Sequence, residues 1–340
     1  MPVEELDIAA LGPYLESNIE GFSGLTAADK FSDGQSNPTF LLTADSGQYV
    51  LRKQPPGTLL KSAHAVDREY RVIRALADSD VPVAKVYHLC EDPGLINGMF
   101  YVMSFEDGRV FWNPTLAELD NSERGAVYDE MNRVLAALHD VNVEAVGLSD
   151  FGHPGNYFER QVGRWSKQYR ASETETIEAM DSLIDWLPAN MPEDDGKAGL
   201  IHGDYRLDNI MFRKQGTRAQ AVLDWELSTL GHPYADLAYQ CMQLRVPHDA
   251  IVGGLGGLDR KRLGIPTEEE YVARYCERRG LGDIPNWDFY VVFSFFRLAA
   301  ILQGVLKRAI DGNASSKKAL VYGKLAPQLA ELAMDIVKQG

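Results

Sequence analysis

The sequence predicts an α+β protein with two lobes, a small N-lobe built on an antiparallel sheet and a larger, mainly helical C-lobe. Over the first 105 residues, strand-like and turn-like segments surround a single helical pattern, whereas long helical patterns dominate from residue 106 onward. A length of 340 residues also fits about two domains of roughly 150 residues each. We therefore place residues 1–105 in the N-lobe and residues 106–340 in the C-lobe.

The N-lobe pattern predicts two strands, a helix and two further strands. The first two strands flank Asp45-Ser46-Gly47, whose residues are typical of a turn and predict a hairpin. Apolar residues at helical spacing predict the helix, and the turn signal Asn97-Gly98 precedes the last strand. The predicted elements span residues 39–43, 48–52, 62–78, 81–87 and 99–105.

The C-lobe pattern predicts five helices and one β-like region. The helices span residues 120–140, 157–187, 267–280, 287–311 and 318–338, and the β-like region spans residues 199–224. The most apolar stretch, residues 289–306, is interrupted by Ser294, Arg297 and Gln303, whereas a membrane span needs about 18 or more uninterrupted apolar residues. We expect a buried core helix here and no membrane partner.

Composition argues against several classes of function. The chain has 34 Lys and Arg against 49 Asp and Glu, a net charge of −15, which repels nucleic acids and anionic membranes. We therefore expect no nucleic-acid partner. Cys90, Cys241 and Cys276 lie far apart without a CxxC pair, so neither a disulfide framework nor a cysteine zinc site is predicted. A cytoplasmic location fits this cysteine usage and a start that lacks the secretory-signal pattern.

The most specific motif is HGDYRLDN at residues 202–209, which is followed by LDWE at residues 223–226. Asp204 and Asn209 on one loop, with Asp224 on a neighbouring strand, suit the orientation of a hydroxyl group and the binding of Mg²⁺ through hard oxygens. A chance match to H-G-D-x-x-x-x-N is expected at roughly 0.002 per chain of this length. The alternative is that Asp204 and Asn209 only cap a turn, which leaves Asp224 unexplained.

These two segments resemble the catalytic loop and metal-binding segment of the aminoglycoside phosphotransferase and choline kinase family, relatives of the protein kinases. The resemblance implies a protein-kinase-like fold and an enzyme that uses ATP and Mg²⁺. It implies Asp204 as the catalytic aspartate, Asn209 and Asp224 as Mg²⁺ ligands, and His202 as a structural support of the loop. Glu226 stands where D-F-G has its glycine, which disfavours a regulated protein kinase.

The resemblance also implies a nucleotide site in the N-lobe. Ser36 lies where kinases lay a glycine-rich loop over the phosphates. Strand alternation places Arg52 and Lys53 on opposite faces, so only one of them can point at ATP. We choose Arg52, because Val50 then lines the nucleotide side. Glu69 on the following helix is the expected ion-pair partner of Arg52, and a solvated helix face is the alternative.

Four further residues complete the predicted site. Ser104 and Phe105 lie in a segment that resembles the link between lobes, where backbone groups receive the adenine edge. Asp236 is expected to hydrogen-bond to the catalytic loop, although a helix cap would have the same sequence. Arg297 is a candidate for the acceptor cleft, with a surface or packing role as the alternative.

The sequence says least about the phosphate acceptor, which we expect to be a small molecule with a hydroxyl group. Residues 49–57 and 224–233 are most similar to the kinase-like domains found with acyl-CoA dehydrogenases, which implies a hydroxyacyl-CoA. The alternatives are an aminoglycoside, amino-alcohol or sugar phosphotransferase and a nucleotide-binding pseudokinase module. Residues 333–340 contain one acidic side chain, Asp335, beside Lys338, which disfavours a polycationic aminoglycoside.

Overall fold

The computed structural model describes residues 6–31, 37–55, 64–251, 253–312 and 319–339. Its helices are α1 (Ile8–Asn18), α2 (Val66–Ala75), α3 (Asn121–His139), α4 (Tyr157–Ser172), α5 (Glu178–Ala189), α6 (Tyr234–Arg245), α7 (Glu268–Arg278), α8 (Trp287–Ile310), α9 (Ala319–Gly323) and α10 (Ala326–Gln339). Its strands are β1 (Leu25–Lys30), β2 (Thr39–Ala44), β3 (Gly47–Lys53), β4 (Val86–Cys90), β5 (Phe100–Ser104), β6 (Gly108–Val110), β7 (Gly199–Ile201), β8 (Ile210–Arg213), β9 (Ala219–Val222) and β10 (Thr229–Gly231).

Contacts divide the chain into two compact units. Unit 1 comprises Met1–Arg109, Met211–Lys214 and Ala219–Ser228, and unit 2 comprises Val110–Ile210, Gln215–Arg218 and Thr229–Gly340. The segment that carries Asp224 therefore packs with unit 1, whereas the division at residue 105 assigned it to the C-lobe.

Unit 1 is built on a five-stranded antiparallel sheet with the strand order β1-β2-β3-β5-β4. The predicted hairpin is present, since β2 pairs with β3 from Thr39 and Arg52 to Ala44 and Gly47. Leu51 is buried in the core on one face of β3, and the next residue, Arg52, points to the opposite face, as alternation requires. The same register places Arg52 opposite Tyr101 of β5, on the face where Glu69 lies.

The prediction for unit 1 was wrong at two places. It missed α1 and β1, because α1 contains Pro13 and the Leu25–Lys30 strand has few β-branched or aromatic residues. The strand predicted over residues 81–87 begins only at Val86. Residues 81–85 contain Pro82, which has no amide to donate, and its carbonyl instead accepts from the backbone N–H of Val222 at 2.8 Å.

Unit 2 also departs from prediction in its helices. The pattern over residues 157–187 forms α4 and α5, because Gln303 Nε2 donates to the Ser172 carbonyl at 2.8 Å and to Thr174 Oγ1 at 2.9 Å where α4 ends. Residues 318–338 likewise contain two helices, α9 and α10. Helix α6 was not predicted, because nearly all of its residues are buried and it lacks an apolar stripe.

Helix α8 is the central helix of unit 2. By length and mean hydropathy of 1.8 it could cross a membrane, but 78% of its most apolar window is buried within the protein. The predicted buried core helix is therefore confirmed. Helices α4, α6 and α10 pack against it.

The short antiparallel pair β7 and β10 leads into the predicted catalytic loop of unit 2, residues 202–209. Gly231 of β10 lies beside Gly199, and a Cβ at Gly231 would approach Ile201 Cδ1 to 2.5 Å and Tyr157 Cε2 to 2.7 Å. Since real Cβ atoms do not approach carbon atoms this closely, β10 requires glycine here. Glycine at position 231 therefore allows β10 to pack closely against β7, the strand that precedes the loop.

We predict that Gly231→Ala lowers the free energy of unfolding by about 1–3 kcal/mol, because the added methyl group overpacks the site. The matched control is Gly163→Ala in α4, where the added Cβ meets no atom of the described residues within 4 Å. There the same change should raise stability by up to about 1 kcal/mol through helix propensity. Urea unfolding measures both, and equal shifts in the two variants would contradict the packing argument.

Candidate active site

The catalytic loop begins where β7 ends and is held by the Asp236 carboxylate of α6. The backbone N–H groups of His202 and Gly203 donate to Asp236 Oδ2 at 2.6 Å and to Oδ1 at 2.9 Å. The expected contact between Asp236 and the catalytic loop is therefore present. Burial raises the pKa of the Asp236 carboxyl group, but hydrogen bonds from His139 and the loop outweigh burial and hold that pKa below its usual value.

His139 is a supporting residue that the sequence did not reveal. Its Nε2 lies 3.4 Å from Asp236 Oδ2, and its Nδ1 lies 2.7 Å from the Tyr275 hydroxyl. Burial lowers the pKa of His139, so the ring is neutral near pH 7. Because a carboxylate only accepts, Nε2 carries the proton and Nδ1 accepts from Tyr275. A histidine at the last position of a helix is also typical of an interaction with the helix terminus, so its position in the sequence does not distinguish the two roles.

Asp204, Asn209 and His202 lie together within the loop. Asn209 Nδ2 donates to the Asp204 carbonyl oxygen at 2.9 Å and to Asp204 Oδ2 at 3.0 Å. The Asp204 backbone N–H donates to His202 Nδ1 at 3.2 Å, and His202 is fully buried. The five-residue spacing of the motif thus brings the predicted catalytic aspartate and the predicted metal ligand into direct contact.

Arg297 of α8 binds the catalytic loop through a backbone carbonyl group. Its Nη2 donates to the Gly203 carbonyl oxygen at 2.6 Å, and the side chain is buried. The guanidinium lies over two aromatic rings, 5.8 Å from the centre of Trp165 and 5.3 Å from that of Tyr239. These contacts are those of a packing and loop-holding residue, and a direct contact between Arg297 and an acceptor stays a prediction.

Unit 1 brings together Arg52, Glu69 and Asp224. Arg52 Nε lies 2.7 Å from Glu69 Oε2, which confirms the predicted ion pair, and Arg52 Nη2 donates to Asp224 Oδ1 at 2.7 Å. Glu69 also accepts hydrogen bonds from Asn37 Nδ2 at 2.7 Å and from the Tyr101 hydroxyl at 3.1 Å. Burial raises the pKa of Glu69, and the positive charge of Arg52 opposes that rise.

Asp224 adopts a backbone conformation that is uncommon for a residue with a side chain. Its φ and ψ are both 61°, in the left-handed region, and such residues concentrate at functional sites. Asp224 belongs to unit 1 and Asn209 to unit 2. Within the described ranges, no three His, Cys, Asp or Glu residues cluster as a metal site. A carboxylate and an amide oxygen are ligand types that Mg²⁺ accepts, and their roles as metal ligands stay predictions.

The remaining predicted nucleotide residues are placed as follows. Ser36 lies outside the described residues, and Asn37, which sequence analysis did not single out, follows it and bonds to Glu69. The Ser104 backbone N–H donates to the Lys85 carbonyl at 2.8 Å, so the sheet already uses this donor. Phe105 follows the end of β5. Adenine contacts for Ser104 and Phe105 stay predictions.

Comparison with known proteins adds the family to this geometry. A model of the phosphotransferase enzyme family matches residues 28–290. This chain belongs to the phosphotransferase enzyme family. The predicted phosphotransferase is thereby confirmed, and residues 28–290 include Arg52, Asp204 and Asp224.

The phosphotransferase is similar to larger curated proteins. It is 47% identical over 333 residues to mouse acyl-CoA dehydrogenase family member 10, and the match covers 96% of this chain and 31% of that protein. Mouse acyl-CoA dehydrogenase family member 11 is 40% identical, with 100% of this chain and 44% of that protein covered. The phosphotransferase thus spans less than half the length of these relatives, and the predicted similarity to kinase-like domains found with acyl-CoA dehydrogenases is confirmed.

Solved structures share the fold of the phosphotransferase. A candidate aminoglycoside phosphotransferase from Ralstonia eutropha has a TM-score of 0.91 and 49% identity, with 98% of this chain and 99% of that chain covered. The aminoglycoside phosphotransferase APH(4)-Ia, crystallised with AMP-PNP and hygromycin B, has a TM-score of 0.63 at 14% identity, with coverages of 96% and 98%. The predicted kinase-like α+β fold is confirmed.

We predict that Arg52→Met lowers the free energy of unfolding by about 3–5 kcal/mol near pH 8, because the buried Glu69 loses its counter-charge. The loss should shrink as the pH falls from 8 to 5. Without Arg52 the pKa of folded Glu69 rises further above its unfolded value, so the folded variant binds the extra proton.

Urea unfolding of wild type and variant at several pH values measures this difference. The control is Lys338→Met, which removes an exposed lysine 3.8 Å from Asp335 and should change stability by no more than about 0.5 kcal/mol. A loss for Arg52→Met that stays constant between pH 8 and pH 5 would show that Glu69 does not take up the proton.

Proposed function

We propose that the phosphotransferase moves the γ-phosphoryl group of ATP to the hydroxyl group of a small molecule. The observation that carries the proposal is the direct contact between Asp204 and Asn209 on a loop anchored by the buried Asp236, in a chain of the phosphotransferase family. This arrangement presents a fixed carboxylate to an incoming hydroxyl group, which phosphoryl transfer by positioning requires.

In the proposed reaction, the acceptor hydroxyl oxygen attacks the γ-phosphorus and the bond from that phosphorus to the ADP oxygen breaks. Asp204 orients the hydroxyl group and accepts its proton, and the products are a phosphate ester and ADP. Asn209 and Asp224 would hold Mg²⁺, which neutralises charge on the β- and γ-phosphate oxygens when bound. Arg52, kept in place by Glu69, would hold the α- and β-phosphates, and Ser36, Ser104 and Phe105 are the further residues that we propose for nucleotide binding.

The ion pair beside Asp204 offers no unpaired carboxylate to a cationic acceptor. Arg206 pairs with Asp208 through both carboxylate oxygens. Burial lowers the pKa of the Arg206 guanidinium, but Asp208 and the nearby Asp204 outweigh burial and raise it. Asp208 is therefore committed to Arg206 and is not available to bind an ammonium group, and the pair as a whole adds no net charge beside Asp204.

Further cations lie on the same part of unit 2. Burial raises the pKa of the Tyr157 hydroxyl group. The positive charges of Arg297 and of Arg164 and Arg160 in α4 oppose that rise. A polycationic aminoglycoside would be repelled by this group of guanidinium ions, whereas the phosphates of a coenzyme A thioester would be attracted. These charges, and relatives named for acyl-CoA dehydrogenases, support a hydroxyacyl-CoA as the acceptor. We further propose a cytoplasmic location, which suits three free, buried thiols.

Asp204→Asn should lower kcat at least ~10²-fold, the scale of a lost general base, and should leave Mg·ATP affinity nearly unchanged. Asp224→Ala should instead abolish the metal-dependent part of ATP affinity, because it removes a metal ligand. Calorimetry of ATP binding with and without Mg²⁺, together with turnover assays, separates the two effects. Asp335→Asn, an exposed charge on α10, is the control. Equal turnover in Asp204→Asn and wild type would refute the mechanism.

A panel of acceptors tests the substrate class. We expect the highest kcat/KM, within the ~10⁴–10⁸ M⁻¹s⁻¹ of true substrates, for a hydroxyacyl-CoA such as a 4-hydroxy species, and poor activity on kanamycin-type aminoglycosides. Arg164→Gln should raise KM for the acyl-CoA and leave KM for ATP unchanged. Arg274→Gln on α7, also exposed, is its control. Efficient phosphorylation of aminoglycosides would overturn the choice of acceptor, and ATP binding without turnover on a broad panel would favour a pseudokinase module.

A further inference from the structure

Tyr275 of α7 connects the end of that helix to the buried anchor of the catalytic loop in unit 2. Its hydroxyl oxygen accepts a hydrogen bond from Arg279 Nη1 at 2.8 Å and lies 2.7 Å from His139 Nδ1. His139 Nε2 in turn lies 3.4 Å from Asp236 Oδ2. A hydrogen-bonded chain of four side chains therefore leads from Arg279, directly after α7, through α3 to the carboxylate of α6 that binds the loop.

The hydrogen bonds of this chain all run in one direction. Arg279 is always a donor, since a guanidinium group has no acceptor, and the Asp236 carboxylate is always an acceptor. His139 must then donate from Nε2 and accept at Nδ1, and the Tyr275 hydroxyl group donates its proton to Nδ1. This arrangement satisfies both ends of the chain at once.

The chain is buried and is held at its outer end. The Tyr275 side chain is fully buried, and its ring meets the His139 ring edge to face, with the ring centres 5.7 Å apart. Arg279 makes two more hydrogen bonds, from Nε to Asp140 Oδ1 at 2.8 Å and from Nη2 to the His139 carbonyl oxygen at 3.0 Å. Burial raises the pKa of the Tyr275 phenol, and the charge of Arg279 only partly opposes that rise. The hydroxyl group therefore keeps its proton near pH 7 and remains a donor.

We propose that Tyr275 is a positioning residue that fixes the His139 ring so that Nε2 stays directed at Asp236 and the catalytic loop stays anchored. The proposal rests on the function proposed above, in which that loop presents Asp204 to the acceptor hydroxyl group. Its physical basis is that an imidazole held at one nitrogen can tilt about its side-chain bonds, whereas hydrogen bonds at both nitrogens fix the ring. Because 3.4 Å between Nε2 and Asp236 Oδ2 is long for a hydrogen bond, a small tilt of the ring would break it.

A tilt of His139 would reach the catalytic aspartate through the backbone. Asp236 Oδ2 accepts from His139 and from the His202 N–H group, and Oδ1 accepts from the Gly203 N–H group. Without the His139 donor, the carboxylate is freer to rotate about its Cβ–Cγ bond. The backbone groups of His202 and Gly203, which directly precede Asp204, would move with it.

Tyr275→Phe tests the proposal, because it removes the hydroxyl group and keeps the ring. We expect kcat to fall about threefold to tenfold, the scale of one hydrogen bond, with KM for ATP nearly unchanged because Arg52 and Glu69 lie in unit 1. Tyr271→Phe, one turn earlier on α7, is the matched control, since its buried hydroxyl group has no hydrogen-bond partner among the described residues. It should retain wild-type kcat. Wild-type kcat in Tyr275→Phe, or an equal loss in both variants, would overturn the proposal.

A second measurement does not depend on turnover. In protein labelled with ¹⁵N at histidine, wild-type His139 should show a protonated Nε2 and an unprotonated Nδ1. Tyr275→Phe should move the Nδ1 resonance to higher frequency, because that nitrogen loses its hydrogen bond, and Tyr271→Phe should leave it in place. A protonated Nδ1 in the wild type, or an Nδ1 resonance that does not move, would overturn the proposed role of Tyr275. A wild type that transfers no phosphoryl group to any acceptor would instead refute the proposed function, so the two failures are distinguishable.

Discussion

The Asp236 carboxylate carries a charge in a place that water does not reach, since its side chain is 1% exposed. Burial of a charge is costly unless hydrogen bonds satisfy it, so the surrounding chain must supply donors. The backbone N–H groups of His202 and Gly203 are two of them, and His139 is the third. These hydrogen bonds connect β7, α3 and α6 at the Asp236 carboxylate. They also fix the position at which the catalytic loop begins, because two of the donors are backbone groups of that loop.

Hydrogen bonds hold both peptide groups that flank the Gly203 Cα atom. Its N–H donates to Asp236 and its carbonyl oxygen accepts from Arg297, two buried residues on different helices. Gly203 has φ of 83°, in the left-handed region that favours glycine. This explains in physical terms why glycine precedes Asp204. The Asp236 carboxylate binds the Gly203 N–H group, and the Arg297 guanidinium binds the Gly203 carbonyl oxygen. The backbone that leads into Asp204 therefore cannot rotate easily.

Local features of the chain predicted one part of the site, and long-range packing determined the other. The H-G-D-x-x-x-x-N spacing sufficed to place Asn209 on Asp204, and strand alternation with the next helix sufficed to pair Arg52 with Glu69. His139 reaches the site from a helix whose partners there are distant in sequence. Helix α6 is buried nearly all round, so its residues have no apolar stripe from which an inward-facing side chain could be read.

Arg52 differs from an ordinary structural arginine because its two nearest carboxylate partners, among three within 4.0 Å, differ in exposure. Glu69 is 1% exposed and is fixed by Asn37 and Tyr101 as well, whereas the Asp224 side chain is 37% exposed. Glu69 is therefore a permanent partner, and Asp224 can exchange one cation for another at little desolvation cost. In the proposed reaction this links metal and nucleotide binding. There, a metal ion held by Asp224 would free Arg52 Nη2, and this group could then donate to the α- and β-phosphate oxygens.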